Sequence, residues 1–280
     1  MKFGFVTCVQ LGLSCMEEIY KVGGKLDLVI TLHDELAKQK SGRIYVDQFC
    51  VAHDVAVRKV KSVNDDEAVA AIKEHEIDWL FIIGWSQIAR QTVLTAPRRG
   101  VLGIHPTLLP VGRGRAAIPW AIIKDLSETG VTLFQLDEGV DTGPIIAQER
   151  LPLASDETAS TLYQRITAAH TRLIGRVWPD LINDRVRAVA QQEENASVWE
   201  GRKPADGRLN ATMTVAEVER LVRATTHPYP GAFWQDNGTM LRVWEGKVSD
   251  TAEPLGPGVR RLYFSDGAYD LLHYEVEPAV

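Results

Sequence analysis

Apolar runs and helical stripes alternate along the first 180 residues. Lys2–Thr7 is a short apolar run that ends at a loop. Ser14–Val22 then places Met16, Ile19 and Tyr20 at helical spacing before Gly23-Gly24 stops it. Leu26–Leu32 predicts the next strand, followed by a polar excursion from His33 to Arg43. Ala56–Val60 is a third strand, and Asn64 with Glu67 three residues later predicts a capping-box start for a helix reaching about His75. Trp79–Ile83 is nearly all apolar, as a strand buried on both faces requires. Gln87–Leu94 predicts a short helix, and Val101–Ile104 a brief strand that delivers His105 to its end. A helix over Ala116–Asp125, with Pro119 confined to its first turn, precedes strands at Val131–Leu136 and Ile145–Leu151. A long helix from Thr158 to about Leu181 carries Leu162, Ile166, Ala169, Leu173 and Val177 at steps of three or four. This alternation predicts an α/β fold: a Rossmann-like, mostly parallel sheet with helices on both faces.

The pattern changes near residue 184. Gln191-Gln192-Glu193-Glu194-Asn195 is too polar for an element, so 1–184 is expected to form one domain, 185–199 a linker and 200–280 a second module. In that module Thr214 caps a helix to Thr225 with Glu217 at the capping-box position, and short strands follow at Ala232–Trp234, Met240–Glu245, Leu262–Phe264 and Tyr269–Val276. Ser265-Asp266-Gly267 joins the last two as a hairpin, and one helix with several short strands predicts a small β-barrel.

Composition narrows the class. A chain of 280 residues with 45% hydrophobic positions buries a real core. A net charge of −6 argues against a broad nucleic-acid surface, although it leaves room for a local basic cleft. No run reaches the roughly 18 apolar residues of a membrane span. The opening residues are followed at once by Glu17-Glu18 without a small-residue cleavage pattern, so they read as strand, loop and helix. Three cysteines, Cys8, Cys15 and Cys50, are odd in number and lack zinc spacing, which suits a reducing cytoplasm. The histidines other than His105 also lack metal-ligand spacing and read as structural or surface groups, and no metal is expected.

The residues least suited to packing alone lie between Gly103 and Arg115. His105 directly follows an apolar run, Pro106 and Pro110 stiffen the backbone, and Arg113 and Arg115 are spaced by glycine. Asp141 comes 36 residues after His105, in a second glycine-punctuated loop between two strands. A histidine at one strand end and an aspartate at another form a plausible acid/base pair. The two arginines fit either a solvated loop or contact with a substrate phosphate. Trp85 and Trp120 fit either packing or a ligand platform.

These stretches resemble the folate-dependent formyltransferases that act on amines. The resemblance rests on Trp79-Leu-Phe-Ile-Ile-Gly-Trp-Ser86, His105-Pro-Thr-Leu-Leu-Pro110 with Arg113-Gly114, Gly130-Val-Thr132, and Asp137-Glu-Gly-Val-Asp-Thr-Gly143. In the second domain it rests on Arg202-Lys-Pro-Ala-Asp-Gly207 and Pro228-Tyr-Pro-Gly-Ala-Phe233. It implies a formyltransferase catalytic domain with an OB-like C-terminal module. It also implies N10-formyltetrahydrofolate as co-substrate, His105 as acid/base and Asp141 as its orienting carboxylate. Gly84, Trp85, Ser86, Leu136, Asp137, Gly139 and Val140 are the implied folate contacts. Gln10, Thr107, Leu109, Pro110, Arg113 and Arg115 are the candidate substrate contacts. Gly103 stands where the family carries an asparagine that donates to the developing oxyanion, an effect of roughly 3 to 4 kcal/mol for one such donor elsewhere.

The stretch Arg113–Trp120 looks closest to the sugar N-formyltransferases. Residues 200–280 hold nine Lys/Arg against twelve Asp/Glu, net −3, where a tRNA-gripping module is expected to be basic. The expected acceptor is therefore the amine of a nucleotide-linked amino sugar, with a homodimer possible. Methionyl-tRNA formyltransferase is the alternative. A formyltetrahydrofolate hydrolase, or a protein silenced by Gly103, are further readings.

Overall fold

The structure is a computed structural model, and it describes residues 1–37, 43–236, 238–250 and 255–278. Its larger sheet has seven strands: β1 (Phe3–Val6), β2 (Leu28–Leu32), β3 (Ala56–Val60), β4 (Trp79–Ile82), β5 (Gly100–His105), β7 (Glu128–Gln135) and β8 (Ile145–Pro152), in the order β3-β2-β1-β4-β5-β7-β8. A two-residue strand, β6, lies at Arg113–Gly114. The pairs among β1 to β5 are parallel, and β7 runs antiparallel to β5. The helices between these strands are α1 (Gln10–Lys21), α2 (Asp34–Ala37), α3 (Asp47–His53), α4 (Asp66–Glu74), α5 (Gln91–Leu94) and α6 (Ala117–Ile123), with α7 (Ala159–Ile182) after β8. The mostly parallel α/β reading holds.

Strand order reverses between β1 and β4, because the chain winds outward from β1 through β2 and β3, then returns to β4 and continues to β5. Ligand crevices open at such a point, where the loops leaving two neighbouring strands diverge. The core around it is built from Val6, Leu28, Ile30, Leu80, Ile82 and Val101 on the strands with Ala68, Ala71 and Ile72 on α4, all buried.

Several element boundaries differ from the pattern. Helix α1 begins at Gln10, so Gln10 opens a helix instead of lying in a loop. Asn64 does not cap α4: its side chain donates to Ile88 O and accepts from Arg90 N, while Asp65 takes the cap position with extended backbone. Helix α5 is four residues long, since the chain from Gln87 to Arg90 is tied to the α4 side by bonds such as Gln87 Nε2 to Lys61 O. Within the polar excursion the chain forms α2, and residues 38–42 lie outside the described residues.

By contact density the chain divides into two compact units, Met1–Arg113 with Gly130–Arg150 and Ile166–Val198, and Gly114–Thr129 with Leu151–Arg165 and Trp199–Val280. After the short strand β9 (Val198–Trp199), the second unit carries α8 (Val215–Thr225) and the strands β10 (Ala232–Asp236), β11 (Thr239–Val248), β12 (Arg260–Tyr263) and β13 (Ala268–Pro278). These four strands form a curled antiparallel half-barrel in the order β10-β11-β13-β12, its bend marked by register shifts around Glu245. Val215, Val218, Leu221 and Val222 of α8 pack with Leu241, Val243, Leu262 and Tyr269. The capping box is present as the sequence predicts: Glu217 N donates to Thr214 Oγ1 and Thr214 N to Glu217 Oε2.

Candidate active site

The loops after β1 and β4 meet at the switch point. Gly84 has φ +67°, and a Cβ there would stand 2.3 Å from Val9 Cγ2, so the close approach of the two loops needs glycine. Trp85 is partly buried beside the core, and its indole Nε1 is buried without a hydrogen-bond partner among the described residues. Gln10, one loop away, donates through its amide to Ser14 Oγ.

His105 ends β5 and lies opposite Thr132 of β7. Its ring is buried, with Nε2 2.8 Å from Gly112 O. A carbonyl only accepts, so Nε2 carries a hydrogen, and this assignment leaves Nδ1 as the nitrogen available for proton exchange. Nδ1 faces Asp141 Oδ2 at 3.5 Å. The two residues singled out from their spacing are thus brought together by β5 and the loop between β7 and β8.

The Asp141 loop is stiff for local reasons. Asp137 Oδ1 accepts from Gly139 N and Thr142 Oγ1, closing the turn on itself. Asp141 has φ +55°, a left-handed conformation that Asp tolerates better than most residues. A Cβ on Gly143 would fall 1.8 Å from Gln135 O, where only glycine fits. Leu136 is partly buried beneath this loop, while Gly139 and Val140 are exposed.

The loop after His105 is held through the hydroxyl of Thr132, a residue of one of the quoted motifs to which the sequence assigned no role. Thr132 Oγ1, fully buried, accepts from Leu109 N and Gln148 Nε2 and donates to Thr107 O, and Gln148 Nε2 also donates to Leu109 O. Thr107 itself is buried, with Oγ1 lacking a partner among the described residues. Pro110 O accepts from Ser197 N. Arg113, 5% exposed, makes hydrogen bonds to Gln191 Oε1 and to both Glu193 carboxylate oxygens, and its bonds to Glu193 raise its pKa and lower that of Glu193. Arg115 lies in the second unit, exposed, with its N–H on Trp199 O.

Two positions near the site bear on stability. Around Gly103, an added Cβ would stand 2.7 Å from Leu136 Cδ2, so leucine occupies the space a side chain at this position would need. Gly103→Asn is therefore expected to destabilise the protein by about 1 kcal/mol, because the Leu136 side chain must turn aside in a packed site. The double variant with Leu136→Ala should recover the loss attributable to that clash, read by urea unfolding as a smaller penalty than the two single changes summed.

The second is His170 on α7. It is fully buried, with Nδ1 on Ile166 O at 2.7 Å. Burial pushes its pKa down to about 4, the bond to Ile166 opposes this, and the neighbouring charge of His105 adds to it. A histidine held neutral in the fold stabilises it fully above its unfolded pKa. That contribution disappears as pH falls from about 6.5 towards 4, where the unfolded chain binds the proton first. The loss is on the order of 3 kcal/mol. His170→Gln should flatten the pH dependence of urea-unfolding midpoints across that window.

Among the described residues, no group of three or more His, Cys, Asp or Glu is placed to hold a metal, and no helix is long and apolar enough to cross a membrane.

With this geometry in view, comparison with known proteins is direct. Residues 12–177 match the formyl transferase family, and residues 202–269 match the formyl transferase C-terminal domain. The chain belongs to the formyl transferase family and is a formyltransferase enzyme. It is similar to the methionyl-tRNA formyltransferase of Agathobacter rectalis, 28% identical over 92% of this chain and 84% of that protein. The methionyl-tRNA formyltransferase of Acidithiobacillus ferrooxidans is 32% identical over 79% of this chain and 71% of its own. In fold the chain is similar to the N-formyltransferase of Helicobacter canadensis, solved with folinic acid and dTDP-3-aminofucose. That likeness has a TM-score of 0.73 at 18% identity and covers 98% of this chain and 100% of the other.

Proposed function

We propose that the enzyme moves the formyl group of N10-formyltetrahydrofolate to the amine of a nucleotide-linked amino sugar. The observation that carries the chemistry is His105 Nδ1 facing Asp141 Oδ2 3.5 Å away, at the end of β5 in the sheet whose strand order reverses between β1 and β4. An acyl transfer to an amine needs one proton removed from the attacking nitrogen and one delivered to the departing nitrogen. With Nε2 committed to Gly112 O, His105 moves that proton at Nδ1, and Asp141 steadies the imidazolium while it exists.

The co-substrate supplies the activated formyl carbon. Among the described residues Trp85 Nε1 and Thr107 Oγ1 are buried without a hydrogen-bond partner, and buried polar groups in native proteins are rarely left so. The exposed residues Asp137 to Val140 offer contacts for the co-substrate.

Acceptor identity rests on different support. The solved N-formyltransferase similar in fold was crystallised with a nucleotide-linked amino sugar, and the C-terminal residues lack the basic excess that grips RNA. Methionyl-tRNA is the second reading, favoured by the curated relatives at 28% and 32% identity. Incubation with the formyl donor and a panel of nucleotide-linked amino sugars, alongside charged initiator tRNA, separates the two. Formylated sugar is the expected product; product on tRNA alone would overturn the sugar assignment.

A further inference from the structure

We infer that Gln191, from the polar stretch after α7, is a positioning residue that holds Asp141 against His105. This rests on the formyl-transfer reading above and goes beyond it to name what sets the geometry of the pair.

Both ends of the Gln191 amide are used. Its Oε1 accepts from Arg113 Nε at 3.0 Å and Nη2 at 2.8 Å, and its Nε2 donates to Asp141 O at 2.8 Å and Gly143 O at 2.7 Å. Guanidinium only donates and backbone carbonyls only accept, so the orientation of the amide is determined by its partners. Arg113 is anchored in turn by Glu193 and by its own N–H on Ser197 O at 2.9 Å.

The contacts close a ring. Gly112, adjacent to Arg113, offers the carbonyl that binds His105 Nε2, and its N–H donates to Ser197 Oγ at 3.0 Å. From Arg113 the ring runs through Gln191 to the Asp141 carbonyl, and the Asp141 carboxylate returns to His105 Nδ1. A paired exchange between Ile145 and Val189, at 2.7 and 2.8 Å, brings the stretch alongside the end of the Asp141 loop. Asp141 sits at φ +55°, where the chain gains little from its own preference and an external hold on its carbonyl matters. Catalytic rates are sensitive to such placement, with a displacement of 1 Å costing about 10²-fold.

Gln191→Met removes both halves of the bridge. Gln191→Glu keeps the acceptor for Arg113 and loses the two donors to the Asp141 loop. If Gln191 positions Asp141, both variants lower kcat by about 10- to 100-fold while the KM for the folate donor stays within about twofold and thermal unfolding stays cooperative. Parent-like kcat in Gln191→Glu would overturn the inference, since a residue that merely clamps Arg113 is satisfied by glutamate. Crystal structures of both variants supply a readout independent of turnover. An Asp141 carboxylate displaced from His105 supports the inference, and one still at the parent separation overturns it. If the parent formylates no acceptor, the functional reading fails, and the crystallographic comparison still decides the role of Gln191.

Discussion

His105→Ala is expected to lower kcat/KM for formyl transfer by about 10²- to 10⁴-fold, the range for loss of a positioned acid/base group. Affinity for the folate donor should change little, because Nε2 is committed to Gly112 O and the proposed role of Nδ1 is proton transfer in the reaction rather than holding the donor. The measurement is steady-state formylation of the best acceptor from the panel, with donor binding followed by calorimetry. Asp141→Asn provides the companion test, since it keeps the shape of the side chain and removes the charge facing Nδ1. A kcat/KM within about threefold of the parent for His105→Ala would remove the histidine from the mechanism and leave Nδ1 with no chemical role.

Thr132→Val carries the second large effect, and it falls on stability. The hydroxyl serves three partners at once, Leu109 N, Thr107 O and Gln148 Nε2, in a site that excludes water. Valine matches the shape but cannot accept from Leu109 N or donate to Thr107 O. Gln148 retains its bond to Leu109 O, so its amide is only half deprived. Two buried backbone groups are left unsatisfied at roughly 1 to 3 kcal/mol each, so a loss of about 4 kcal/mol in urea unfolding is expected. Thr132→Ser, which keeps the hydroxyl, should recover most of it. Because this hydroxyl holds the loop that follows His105, the valine variant should also lose activity at temperatures where it remains folded.

The same residues show how much the sequence could disclose. The period of apolar positions located every strand of the larger sheet to within a few residues, because burial on a pleated surface or a helix face leaves a local trace. Glu217 three residues after Thr214 announced a capping box that depends only on neighbours in the chain. Asn64 and Glu67 had the same spacing, yet Asn64 bonds to Ile88 and Arg90, so a distant segment decided the matter. His105 and Asp141 were legible as a pair from their loops and their spacing.

Other parts of the site left no such trace. Gln191 sat in a stretch that reads as a polar linker, and its four hydrogen bonds reach residues about fifty and eighty positions away. His170 followed the helical stripe as one more polar residue, and its enclosure, with the nearby charge of His105, lowers its pKa. Gly103 was recognisable as a missing asparagine. That the Leu136 side chain occupies the space beside it is a fact of packing across β5 and the end of β7.

By itself, then, the sequence determined the alternation of elements and the helix cap of the second unit, and it singled out His105 and Asp141 as candidates, all of which depend on local period or on short rigid loops. Tertiary structure decided which nitrogen of His105 faces Asp141, what holds that aspartate in place, and what fills the space beside Gly103. Hydrogen-bond direction and side-chain packing are set by residues far apart in the chain, and distance in sequence carries no record of contact in space.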